Sequence, residues 1–111
     1  MFEKDLKLAA LLDFYGEVLS ERKQSVLSLY YNEDLSLAEI AEEIGISRQG
    51  VRELIKKAEE ELLFLEEKLG LQKKLKEALS QSDKIFALID GETPSDTLKD
   101  EMQTLVQILK K

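Results

Sequence analysis

Apolar positions along the chain recur in steps of three and four, the spacing of helices with one buried side. Leu6, Ala9, Ala10, Asp13 and Phe14 fit a first helix that ends before Gly16, with that glycine as its C-cap. Ser20 can cap a second helix, "ERKQSVLSLYY", on which Val26, Leu27, Leu29 and Tyr30 recur and which "NED" ends. Ser36 can cap a third, "LAEIAEEI", and Glu39 stands three residues later, as a capping box requires. Gly45 breaks the chain. Ser47 can cap a fourth helix that continues to Leu69, just before Gly70.

The fourth helix carries a heptad-like stripe of Val51, Ile55, Ala58, Leu62, Leu65 and Leu69, widened by Leu54, Leu63 and Phe64. One helix cannot bury this alone. The expectation is that it packs on the helices after it or on a second copy of the chain. The next segment, "LQKKLKEALSQSDKIFALI", puts Leu71, Leu75, Ala78, Leu79, Ile85, Phe86 and Ile89 on one broad face, with a potential interruption at Ser80–Ser82. "DGETPSD", with Gly91 and the only proline, reads as a loop. A last helix starts at Ser95 or Asp96 and aligns Leu98, Met102, Leu105, Val106 and Leu109. The class is therefore all-α. The expected division is a helix-turn-helix domain over residues 1–70 and a C-terminal helical extension over 71–111.

The stretch from Ile40 to Leu54 carries the chemistry. A helix-turn-helix needs a small residue where its helices cross, a residue tolerant of a left-handed turn, and apolar residues that lock the angle. Ala41 is the small residue, Gly45 the turn, and Ile40, Ile44, Ile46, Val51 and Leu54 the locking set. Arg48, Gln49, Arg52, Glu53 and Lys56 then follow at helical spacing on the opposite face. Arginine, glutamine and lysine can bond base edges or phosphates in the major groove, and Ser47 opens the helix where free amides can meet a phosphate. The candidate DNA-binding residues are thus Ser47, Arg48, Gln49, Arg52 and Lys56, with Lys57 on the flank. Gly50 in the same turns costs ~1 kcal/mol of helix propensity. It reads as an allowance for close approach of DNA or a helix, or as a tolerated weak spot.

Charge sharpens the picture. The net charge of -7 lies in residues 1–70, where 16 acids face 9 bases, while residues 71–111 hold 7 of each. Such a chain does not bind DNA as a general polycation. Contact must come from residues 48–57, which hold four bases and one acid, with Glu39, Glu42 and Glu43 nearby on the third helix. Cysteine and histidine are both absent, which excludes disulfides, thiolate and imidazole metal sites, and catalysis by either residue. No cofactor is expected. Adjacent acids such as Glu59, Glu60 and Glu61 point different ways on a helix, so no enzyme is expected either. The N-terminus mixes acids and bases, unlike a signal peptide, and the longest apolar run is "LAALL", far short of the roughly 18 residues that span a bilayer. A cytoplasmic protein without membrane insertion is expected.

"LSERKQSVLSLYYNEDLSLAEIAEEIGISRQGVRELIKKAEEEL" resembles region 4 of bacterial sigma factors, which reads the promoter −35 element. That resemblance implies DNA contact by Arg48, Gln49 and Arg52. Glu43 and Gly50 stand where sigma region 4 commonly has arginine, and the chain has no room for the other sigma regions. With "LLDFYGEVL" before and "EEKLGL" after, the sequence is more closely similar to the YlxM-type helix-turn-helix family, over about residues 5–72. That resemblance implies a role, regulatory in kind, connected with the signal recognition particle, whose GTPase gene neighbours the family's genes. Two functions are expected to compete: a DNA-binding regulator, or an adaptor that uses the same fold to bind a protein or RNA component of the particle. The apolar surface on the fourth helix and beyond leads to the further expectation of a homodimer.

Overall fold

The computed structural model of the protein describes residues 5–89 and 95–110. Six α-helices account for most of them: α1 (Leu6–Tyr15), α2 (Glu21–Tyr31), α3 (Leu37–Ile44), α4 (Arg48–Leu69), α5 (Leu71–Ile89) and α6 (Ser95–Lys110). The described residues contain no strand. The helices form two compact units, Met1–Leu69 and Gly70–Lys111.

The caps are where the side-chain chemistry puts them. Asp5 accepts from the Lys7 amide at 2.9 Å and Ser20 from the Lys23 amide at 3.3 Å. Gly16 caps the end of α1 as expected, its amide donating to the Leu12 carbonyl, but without the left-handed turn that glycine often makes there. Its φ of -53° is right-handed, and the chain runs on into a 3-10 turn, Gly16–Val18. A Cβ there would stand 3.3 Å from Leu12 Cδ1, so a larger residue would need that side chain to give by a few tenths of an ångström. The turn after α2 instead places Asp34 at φ 56°, a left-handed conformation that aspartate tolerates better than most residues.

In the first unit α4 is the spine. Its Val51, Ile55, Ala58 and Leu62 are buried, and Leu65 packs beside them. They meet Leu8, Leu11, Leu12 and Tyr15 of α1, Leu19 in the connection after it, Val26 and Leu27 of α2, and Ile40 and Ala41 of α3. This corrects the expected covering. The stripe as far as Leu65 is closed by the three helices that precede it, because α1 and α2 together bring a complementary apolar surface. Burial of each of the leucine, isoleucine and valine side chains is worth about 1.5–3 kcal/mol. Leu63, Phe64 and Leu69 stay exposed, so the stripe is shorter than its sequence pattern.

Polar contacts run along both sides of the spine. The Tyr15 hydroxyl donates to Glu66 Oε1 at 2.6 Å, the Tyr31 hydroxyl donates to Glu59, and Lys23 Nζ meets Glu61 Oε2 at 2.8 Å. These acids, exposed by periodicity alone, thus hold α1 and α2 against α4.

The second unit is a two-helix hairpin. Ala78 and Gln81 are its buried residues among those described. Gln81 Nε2 donates to the Glu101 carbonyl and to its carboxylate, each at 2.6 Å, which joins the helices at mid-length. α5 passes Ser80–Ser82 without interruption, and the Ser82 hydroxyl donates to the Ala78 carbonyl at 2.9 Å within the helix. The apolar face expected on α5 stays largely uncovered: Leu71, Leu75, Leu79, Phe86 and Ile89 are all exposed. Most of the "DGETPSD" loop lies outside the described residues.

Candidate nucleic-acid interface

The helix-turn-helix is α3 and the start of α4. Ser36 Oγ accepts from the Glu39 amide at 3.1 Å, and Glu39 Oε1 accepts from the Ser36 amide at 3.1 Å, so the capping box is complete. Glu39 is thereby tied to the start of α3, and like Glu42 and Glu43 on that helix it is exposed. At the other end Gly45 takes φ 77°, and its amide and that of Ile46 both donate to the Ala41 carbonyl, at 3.0 and 3.2 Å. A left-handed glycine and two amides on one carbonyl stop α3 within a single residue and let the chain turn. Ala41 lies in the core as the small residue of the crossing, beside fully buried Ile40 and Val51.

Ser47 opens α4 by accepting the Gly50 amide at 3.0 Å. The hydroxyl proton of that serine is left to donate. Gly50 now has a local explanation. A Cβ there would stand 3.2 Å from Ser47 Oγ and 3.3 Å from Ile46 Cδ1, so the glycine leaves room for the cap and the locking isoleucine.

The sequence-derived contact residues divide into two groups. Arg48, Gln49 and Arg52 share an open groove of about 960 Å³ with Tyr30 at the end of α2, the turn at Asp34 and Leu35, and Ser36–Glu39 at the start of α3. Ser47, just before α4, and Lys56, on it, are exposed and do not line the groove. Gln49 Nε2 lies 3.4 Å from Glu53 Oε1, a weak tie that orients the amide along the exposed face. Periodicity alone missed Tyr30, Ser36 and Ala38 as walls of the groove. They come from segments before the turn, and only the packing of α2 and α3 with α4 brings them together.

Comparison with known proteins places the chain in one family. The profile of the UPF0122 family, described as "Putative helix-turn-helix protein, YlxM / p13 like", matches residues 2–106. A UPF0122 protein of Clostridium kluyveri is 46% identical over 89 residues, 80% of each chain. One from Desulforamulus reducens is 45% identical over 85 residues, 77% of this chain and 73% of its own. One from Listeria monocytogenes serotype 4b is 40% identical over 110 residues, 97% of this chain and 96% of its own. An all-helical fold built round a capped helix-turn-helix, and a match that extends from the first helix into the last, make the chain a member of the YlxM/p13-like helix-turn-helix family.

Proposed function

We propose that this protein is a cytoplasmic, non-enzymatic regulator that binds DNA as a homodimer through the first turns of α4. The observation that carries the reading is the joint placement of Arg48, Gln49 and Arg52, exposed on α4 and open to one groove against the capped start of α3. Helix α4 enters the major groove, with Arg48, Gln49 and Arg52 directed to bases or phosphates and Lys56 to the backbone. Ser47 donates to a phosphate at the helix start. The acids elsewhere on the first unit confine binding to this patch, so affinity depends on few cations.

The test is selection of DNA fragments by the purified protein at two salt concentrations, with Arg52→Ala in parallel. Enrichment of one sequence is expected. Loss of a base-reading arginine removes about 1–3 kcal/mol, roughly a 5- to 150-fold loss of affinity. If Arg52 meets a phosphate instead, the salt slope falls by about 0.9. No enrichment at low salt overturns the reading.

A second reading rests on the charge of -7 confined to residues 1–70 and on exposed Glu42, Glu43 and Glu53. Such a surface suits a basic protein component of the signal recognition particle, on which the protein then acts as an adaptor; an RNA component, itself a polyanion, would be met by the α4 cations instead. Retention of the purified particle by the protein under conditions where no DNA is enriched would favour the adaptor. Failure to retain it removes that reading.

A further inference from the structure

The exposed face of α4 carries one acid among its cations. Glu53 stands between Arg52 and the two lysines Lys56 and Lys57, and all four side chains are exposed. An acid on a solvated helix is well placed to pair with a lysine four residues further on, the favourable order for an ion pair along a helix. Lys57 occupies that place, yet the carboxylate turns the other way. Glu53 Oε1 accepts from Gln49 Nε2, 3.4 Å away and one turn earlier. Gln49 and Glu53 thus form a dyad of amide and carboxylate on the same face as Arg48 and Arg52.

An ionised carboxylate has no proton to give, so it can only accept. That limits the base edges it tolerates in a major groove. Guanine presents two acceptors, N7 and O6, and thymine presents the acceptor O4 beside a methyl group. Adenine presents its N6 amino group, but beside the acceptor N7. Cytosine alone presents an amino donor, N4, with no acceptor next to it. A carboxylate is repelled by guanine and thymine and partly opposed by adenine. Only against cytosine is it satisfied outright. Gln49 gives one amide proton to Glu53 and keeps the other, together with Oε1, a set that matches N7 and N6 of an adenine at a neighbouring position.

We propose that Glu53 is a specificity-determining residue, whose carboxylate accepts from the N4 amino group of a cytosine in the major groove and rejects the other three bases at that position. The proposal rests on the entry of α4 into DNA set out above. Its content is a division of labour within residues 48–57, which hold four bases and this one acid. The cations attract any duplex through its phosphates. The acid opposes that attraction everywhere except at a matching base, so it lowers binding to wrong sequences more than to the right one.

The test uses the full-length chain and selects duplex fragments at two salt concentrations with the wild type, Glu53→Ala and Glu53→Gln. The position is exposed, so both variants are expected to keep the circular dichroism of the wild type. The wild type is expected to require a C·G pair at one position of its site. Glu53→Ala is expected to lose that requirement, with discrimination reduced roughly 5- to 150-fold, and to bind unselected duplex more tightly. Glutamine donates as well as accepts, so Glu53→Gln is expected to exchange the C·G pair for A·T and to leave the other positions unchanged. A residue that merely oriented Gln49 would behave differently, because a glutamine at position 53 can still accept from Gln49. Selection of the same site by Glu53→Gln as by the wild type therefore overturns the proposal and leaves DNA reading by α4 intact. Retention of the C·G requirement in Glu53→Ala does the same. No enrichment by the wild type at low salt overturns both.

Discussion

Single residues decide where this chain turns. Gly45 is the clearest case: φ 77° costs a side-chain-bearing residue about 1–2 kcal/mol, and no atom crowds the site. Gly45→Ala is therefore expected to lower stability by about that amount through backbone strain alone, as read by urea unfolding. Ser36→Ala removes one half of the capping box and is expected to cost ~1 kcal/mol in the same assay. Tyr31 links residue chemistry to pH. Burial pushes its phenol well above the usual tyrosine range, and the hydrogen bond to Glu59 and the charge of that residue act in the same direction. A raised folded-state pKa means that the contribution to stability is complete below about pH 10, where tyrosine in the unfolded chain begins to ionise. It is lost as pH rises further. The alkaline fall in unfolding free energy is thus expected to be shallower in Tyr31→Phe than in the wild type.

At the scale of elements, α4 serves two ends of one helix in different ways. Its first turns expose Arg48, Gln49 and Arg52, while its middle buries Ile55, Ala58 and Leu62. Leu62 has no exposed surface, whereas Phe64, two positions on, is 55% exposed and meets Lys68 at 5.8 Å from the ring centroid. Leu62→Ala is expected to cost about 2–5 kcal/mol and Phe64→Ala to stay within about 0.5 kcal/mol, measured by thermal or urea unfolding. Both residues are large and apolar, and both were counted in the sequence stripe. The helix period separates them: Leu62 lies on the line of Val51, Ile55 and Ala58, and Phe64 lies on the far side of the helix.

At the scale of the molecule, two units of different character share one chain. The first has a core drawn from four helices. The second is a neutral hairpin with an apolar face, and helical segments of that size rarely hold a fold without a partner surface. In the proposed homodimer, pairing of two copies makes stability depend on concentration. The apparent melting temperature of the hairpin is accordingly expected to rise with protein concentration, and Leu79→Glu to remove that dependence, as seen by calorimetry over a hundredfold range. Across the described residues, no helix is long and apolar enough to cross a membrane.

The sequence by itself determined the six helices, their caps and the helix-turn-helix, because these depend on near neighbours: Ser36 with Glu39, Gly45 with Ala41, Ser47 with Gly50. It also named the exposed cations of α4, since a helix face is a matter of spacing. It did not determine which helices cover the α4 stripe, that Glu59, Glu61 and Glu66 serve as anchors for α1 and α2, or that Tyr30 and Ser36 share a groove with Arg52. Those pairs are 16 to 51 residues apart in the chain. No local preference encodes them. They follow only when apolar surfaces from separate helices close on one another, and that closure is what the tertiary structure decided.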